Sequence, residues 1–204
     1  MSSGKTILVV FAHPQSNSLA AALKDAVTEG LTGAGHGADI IDLYADDFEA
    51  RLSTDERTRF VQPGYEPPAD AADYCDRLKA ADGVVFVFPQ WWFGMPAILK
   101  GFVDRVFVPG VAFDPDPAGG RLIPRLDDIR TFNVVTTTGS PRWITELHMR
   151  NPVRRQIRNG IMKVCCRHAR FRMLSMYDLD RADRADRADC EKFITRVREA
   201  FASI

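Results

Sequence analysis

The stretch FPQWWFGMPAILKG, residues 88–101, sets Trp91, Trp92 and Phe93 between an apolar run and a helical spacing begun by Pro96. A turn at a strand end is a poor place to bury aromatic rings, so these side chains are candidates to wall a planar ligand; an aromatic plug or a contact between copies is the plainer alternative. Gly94 permits close approach, and the N–H groups near Trp92 and Phe93 can face the polar atoms of a heteroaromatic ring. Two other turns carry matching groups. AHPQSNSLAAAL, starting at Ala12, offers His13 and the hydroxyls of Ser16 and Ser18, with Asn17 or Ser18 able to cap a helix beginning at Leu19. Free N–H groups at such a helix start hold phosphate, although caps without a ligand are common. TTTGSPRW, starting at Thr136, supplies Thr137, Thr138, Gly139 and Ser140, small hydrogen-bonding groups for another edge of the same ring system. Phosphate donors on one turn and ring contacts on two others describe a flavin nucleotide site. The first turn has no G-x-G-x-x-G, which argues against a dinucleotide held in the Rossmann manner.

These turns need elements to bring them together. The runs TILVVFA, ADIIDL, GVVFVFP and TFNVVTTT are apolar at successive positions, the mark of strands buried on both faces, and ARFRMLSMY supplies a fifth. Between them lie helical spacings, with Leu19, Leu23, Val27 and Leu31, then Ile98, Phe102 and Val106, then Val153, Ile157 and Ile161. Phe193, Ile194, Val197 and Phe201 mark a last amphipathic helix. Alternating strands and helices predict an α/β doubly wound parallel sheet, whose ligands sit outside the carboxyl ends of the strands. Residues 44–69 interrupt the alternation with a polar, proline-bearing stretch holding a short helix near Thr54 to Phe60, either a cover over a site or a solvated loop. The RADRADRADC run at 181–190 reads as a charged helix start without chemistry.

Length and composition bound the rest. The 204 residues suit one domain, 1–204, and the balance of 27 Lys and Arg against 27 Asp and Glu provides no global field toward nucleic acid. The N-terminal apolar run is too short for a signal peptide, no stretch reaches transmembrane length, and four cysteines lack zinc-site spacing, so a cytoplasmic protein with reduced thiols and no bound metal is expected. Between Met149 and Met173 lie eight Arg or Lys and no Asp or Glu. Arg154, Arg155 and Arg158 fall opposite Val153, Ile157 and Ile161, as a solvated face, a site for an NADP 2′-phosphate or FAD phosphates, or a peripheral membrane contact through 150–172.

The run WFGMPAILKGFVDRVFVPGVAF, residues 92–113, closely resembles a characteristic segment of the flavodoxin-like NAD(P)H:quinone oxidoreductases, the group of the mammalian quinone reductases and bacterial drug-activity modulators. The resemblance extends from Ile7 to about Tyr177 and implies a flavodoxin-like three-layer sandwich with a five-stranded parallel sheet in the order 2-1-3-4-5. It implies flavin contacts at His13, Ser18, Leu19, Pro89, Gln90, Trp91, Trp92, Phe93, Thr137, Thr138 and Gly139. It also implies a homodimer in which Phe113 enters the partner subunit's pocket. Ser18, Leu19 and Ala20 stand where many members have Ser-Phe-Asn, so an asparagine contact is missing. The Tyr and His that assist hydride transfer in the mammalian enzymes have no counterpart at the same spacing; His148 is the catalytic candidate in GSPRWITELHM, with Trp143 beside it.

The implied reaction is hydride transfer from NAD(P)H to flavin and then to a quinone, in ping-pong order at one site, with FAD or alternatively FMN bound and NADPH favoured by the basic segment. Such chemistry needs no His–Asp or Cys–His arrangement. The rivals are a flavodoxin-type electron carrier, which usually shows an acidic face, and a flavin-binding regulatory subunit of a membrane transporter.

Overall fold

A computed structural model of the chain describes residues 4–60, 62, 64–179 and 187–204. It runs β1 (Thr6–Phe11), α1 (Leu19–Gly33), β2 (Gly37–Asp42), α2 (Thr54–Arg59), α3 (Ala69–Ala80), β3 (Gly83–Pro89), α4 (Ala97–Val106), β4 (Phe113–Pro115), β5 (Leu122–Pro124) and β6 (Thr131–Thr137). A π-helical turn, Ile144–His148, follows. Then comes a composite helix of α5 (Pro152–Arg155), a π-helical stretch Gln156–Met162 and α6 (Lys163–Cys165). β7 (Arg170–Met176) and α7 (Arg187–Phe201) complete the chain.

The main sheet is parallel in the order β2-β1-β3-β6-β7, the expected 2-1-3-4-5 once the short antiparallel hairpin β4–β5 is set aside. Its strands are apolar throughout because each face feeds a different core. Ile7, Val9 and Phe11 of β1 pack with α1 and with Phe193, Val197 and Phe201 of α7, whereas Leu8 and Val10 face Leu78 of α3, Leu99 and Phe102 of α4, and Ile157 of the composite helix. The alternation of side-chain direction along a strand thus sorts a continuous apolar run onto two helical layers. Burial on both faces does not extend to β2, an edge strand whose Ile40 is 38% exposed.

Residues 44–69 are neither a loose loop nor a cover over the strand ends. Arg105 of α4, 3% exposed, binds Glu56 of α2 at 2.7 Å, the Glu49 carbonyl at 2.6 Å and both oxygens of Asp70 at 2.9 Å. Ser53 and Glu56 close a capping box at the start of α2. Gly101 of α4 lies so near Ala50 that an added Cβ would meet its carbonyl oxygen at 2.1 Å. The excursion is therefore clamped onto α4. Most of the RAD triplets at 181–190 lie outside the described residues, and α7 opens at Arg187.

Candidate functional site

Order in the sheet reverses between β1 and β3, so the crossovers leave to opposite faces there and a crevice opens at the carboxyl ends. The turns after β3 and β6 meet in it. Pro89, Gln90, Trp91, Trp92, Phe93, Thr137, Thr138, Gly139, Ser140 and Leu179 line a cleft of about 520 Å³. The N–H of Gln90 donates to the Thr137 carbonyl at 2.7 Å, and the N–H of Thr138 to the Met176 carbonyl at 2.9 Å, which ties the cleft wall to the sheet.

After Gln90 the chain reverses in four residues. Trp91 and Gly94 exchange N–H···O bonds of 3.2 and 2.9 Å, while Trp92 and Phe93 between them have φ of 52° and 57°. Two central residues at positive φ define a type I′ turn, which favours Asn and Gly. Placing bulky residues in the left-handed region costs roughly 1–2 kcal/mol each, and strain of this kind collects at ligand-binding positions. Among the described residues no hydrogen bond engages the N–H of Trp92 or Phe93. Gln90 is 7% exposed, yet neither its Oε1 nor its Nε2 finds a partner. A buried carboxamide without partners is destabilising unless a ligand completes it.

The first turn adjoins this cleft through His13, whose ring lies 6.4 Å from that of Trp91. His13 Nδ1 lies 3.0 Å from the Gln15 N–H and 3.2 Å from the Gln15 carbonyl; with Nδ1 accepting the former, Nε2 carries the proton and can donate to an anion. Ser18 caps α1: its Oγ donates to the Gln15 carbonyl at 2.8 Å and accepts the Ala21 N–H at 3.2 Å. That leaves the N–H groups of Ser16, Asn17, Leu19 and Ala20 without protein acceptors among the described residues, at the positive end of a 15-residue helix. These features fit a flavin nucleotide: free donors and an unpartnered carboxamide around a flat cleft, and a phosphate cradle beside it.

Ser18 and Leu19 do not line the cleft of the other two turns, and neither do two further candidates. His148 is exposed at the end of its π-helical turn. Phe113 on β4 packs its ring 6.5 Å from Phe60 of the same chain. Leu179, which does line the cleft, sits in a loop after β7 and gives no signal in the sequence.

A second cavity, of about 770 Å³, begins where the first ends, at Pro141, and is lined by Arg142, Trp143, Glu146, Leu147, Arg154, Tyr177 and Arg196 among others. Glu146 accepts from Tyr177 Oη at 2.6 Å and from Asn151 Nδ2 at 2.8 Å. Burial raises its carboxyl pKa, but those hydrogen bonds and the nearby Arg154 and Arg142 outweigh it, leaving the group below its ordinary value. Burial and the Glu146 bond together raise Tyr177. This network escaped the sequence reading because its members lie 31 residues apart and share no spacing.

A family model described as having a flavodoxin-like fold matches residues 5–200. The chain belongs to that flavodoxin-like family. Among curated relatives of this family member, ribosyldihydronicotinamide dehydrogenase (quinone) of Pongo abelii is 35% identical over an alignment of 127 residues, covering 55% of either chain. NAD(P)H dehydrogenase (quinone) 1 of Rattus norvegicus is 37% identical over 122 residues, covering 52% of this chain and 44% of the relative. The chain thus spans about half the length of the curated relatives it matches. The solved NAD(P)H:quinone oxidoreductase from Methanothermobacter marburgensis superposes with a TM-score of 0.82 at 26% identity, over 98% of this chain and 96% of that one.

Proposed function

We propose that the protein is a flavin-dependent NAD(P)H oxidoreductase that reduces quinones or similar electrophiles. The observation that carries this reading is the buried, unpartnered Gln90 beside the strained Trp92–Phe93 turn in a cleft at the carboxyl edge of β3 and β6. The names of the quinone dehydrogenases to which the chain is similar support it.

The bound flavin supplies the hydride chemistry. The chain's own groups hold and bias it. Gln90 and the N–H groups of Trp92 and Phe93 bond the ring edge, and Pro89, Trp91, Thr137, Thr138 and Gly139 shape its walls. Fixed N–H dipoles at the ring edge would stabilise the negative charge of a reduced flavin. His13 Nε2, Ser18 and the N–H groups opening at Leu19 hold the phosphates. FAD is the favoured form, with FMN the alternative. NADPH is favoured over NADH because Arg142, Arg154 and Arg196 line the cavity next to the cleft, within reach of a 2′-phosphate. Cosubstrate and acceptor use one ring face in turn, hence ping-pong order. His148, exposed next to the cavity-lining Leu147, is the catalytic candidate in the segment after β6.

A homodimer fits the exposed apolar side chains near the cleft mouth: Trp92 is 99% exposed, Leu147 75% and Trp143 63%. Phe113, partly exposed with its ring 6.5 Å from that of Phe60, is the residue that would enter the partner subunit's pocket in such a dimer. We take residues 1–204 as one domain built on the five-stranded sheet, and the free, buried thiols of Cys75, Cys165 and Cys166 support a cytoplasmic location. Among the described residues no helix is long and apolar enough to cross a membrane.

Heat extraction followed by mass analysis is expected to yield FAD or FMN, and NADPH oxidation should depend on menadione with parallel double-reciprocal plots. A colourless protein whose melting and absorbance ignore both flavins overturns the reading.

A further inference from the structure

A concentration of basic side chains lies outside the lining of the redox cleft. Arg154, Arg158, Lys163, Arg167 and Arg170 line a groove of about 610 Å³ between the composite helix and β7, and no carboxylate lines it. Arg167 approaches Asp127 at 3.4 Å and Arg154 approaches Glu146 at 3.9 Å. The side chains of Arg158, Lys163 and Arg170 make no ion pair or hydrogen bond among the described residues. Five cations around one concavity repel one another, and nothing in a chain of balanced charge requires them to gather there.

Backbone geometry collects them. Residues five apart diverge by about 140° around an α-helix, which would turn Lys163 away from Arg158. The stretch Gln156–Met162 is π-helical, and the Lys163 N–H bonds the Arg158 carbonyl five residues back, which turns the two side chains toward the same side of the helix. Arg158 and Lys163 thereby share the groove with Arg170 from the edge strand. π-helical insertions are rare and, where they occur, are frequent at functional sites.

We propose that this groove is a second binding site, for a small molecule bearing two or more phosphates. Its volume lies in the range of small-ligand sites. Its apolar lining is the floor rather than the rim: Met162 is 6% exposed, and Phe171 and Met173 are half-buried. A bilayer would need apolar side chains that project outward, and this surface offers a concavity instead. Arginine forks and a lysine suit clustered phosphate oxygens. The groove borders the Arg170–Met173 half of β7, whereas the redox cleft meets that strand at Met176; it shares Arg154 and Met173 with the cavity next to that cleft, so the test must separate the two.

The test is calorimetric titration of the full chain with inorganic tripolyphosphate, beside vesicles of phosphatidylcholine and phosphatidylserine. Tripolyphosphate is expected to bind, more weakly as salt rises. The double variant Lys163→Ala/Arg170→Ala should bind tenfold or more weakly, with melting unchanged because both side chains are exposed. Three results overturn the proposal: equal binding by wild type and variant or none by either, binding to vesicles alone, or competition between tripolyphosphate and NADPH in the oxidase assay. The last would make the groove the far end of the cosubstrate site.

Discussion

Gln90 separates the needs of the fold from those of the ligand. Its carboxamide is buried without a partner, so Gln90→Leu removes an unsatisfied polar group and should leave the urea midpoint of flavin-free protein unchanged or raised. The same change is expected to weaken flavin about tenfold, as for one lost hydrogen bond in a buried site, read by quenching of flavin fluorescence. Equal loss of stability and affinity would instead make Gln90 a structural residue. Trp92 gives the complementary expectation. Its side chain is 99% exposed, and only its backbone faces the ring in the proposed site, so Trp92→Ala should shift stability by less than about 0.5 kcal/mol and retain flavin. An empty Trp92→Ala protein would show that the side chain, not the strained turn, holds the ring.

At the scale of elements, α2 and the start of α3 depend on one guanidinium. Arg105→Ala leaves Glu56 buried without its cation and frees the Glu49 carbonyl, and a broken buried pair destabilises by about 3–5 kcal/mol. Urea unfolding should show that loss, and limited proteolysis should move to residues 44–69. Gly101→Ala tests the same clamp from the other side. The added methyl collides with the Ala50 backbone, so the excursion must shift, and destabilisation of about 1–3 kcal/mol is expected despite the better helix propensity of alanine. Stabilisation by Gly101→Ala would mean that the contact with Ala50 is slack.

The whole molecule should be more sensitive to acid than its neutral charge implies. Burial raises Glu56, but hydrogen bonds from Ser53 and the Arg105 guanidinium prevail, so Glu56, like Glu146, has a pKa below the ordinary carboxylate value. A depressed folded pKa adds stability that is fully present above the unfolded value, about 4.3, and is lost as pH falls through the folded one. The urea midpoint is therefore expected to be flat near neutrality and to drop below pH of about 4. Arg105→Ala should flatten part of that drop, and an unchanged slope would assign it to other carboxylates. Leu147→Asp tests assembly: placed beside exposed Trp143, the charge should convert dimer to monomer in sedimentation. A wild-type monomer would remove the dimer.

The five strands and the main helices were legible in the sequence because continuous Val, Ile and Phe runs and spacings such as Leu23, Val27 and Leu31 record burial locally, whereas the order of the strands came from the family resemblance. The helix Ala69–Ala80 was not, since its buried side, Ala71, Cys75 and Leu78, carries little apolar bulk, and the β4–β5 hairpin is too short to show a period. The flavin-like residues after β3 and β6 could be read as two turns, because residue type at a strand end hints at chemistry. Tertiary structure alone decided that Gln90 lacks a partner, that Glu146 meets Tyr177, and that a π-helical register gathers Arg158 and Lys163. Spacing along a chain encodes which face is buried; which buried or charged groups converge depends on crossovers and helix register, and these emerge only when the layers pack.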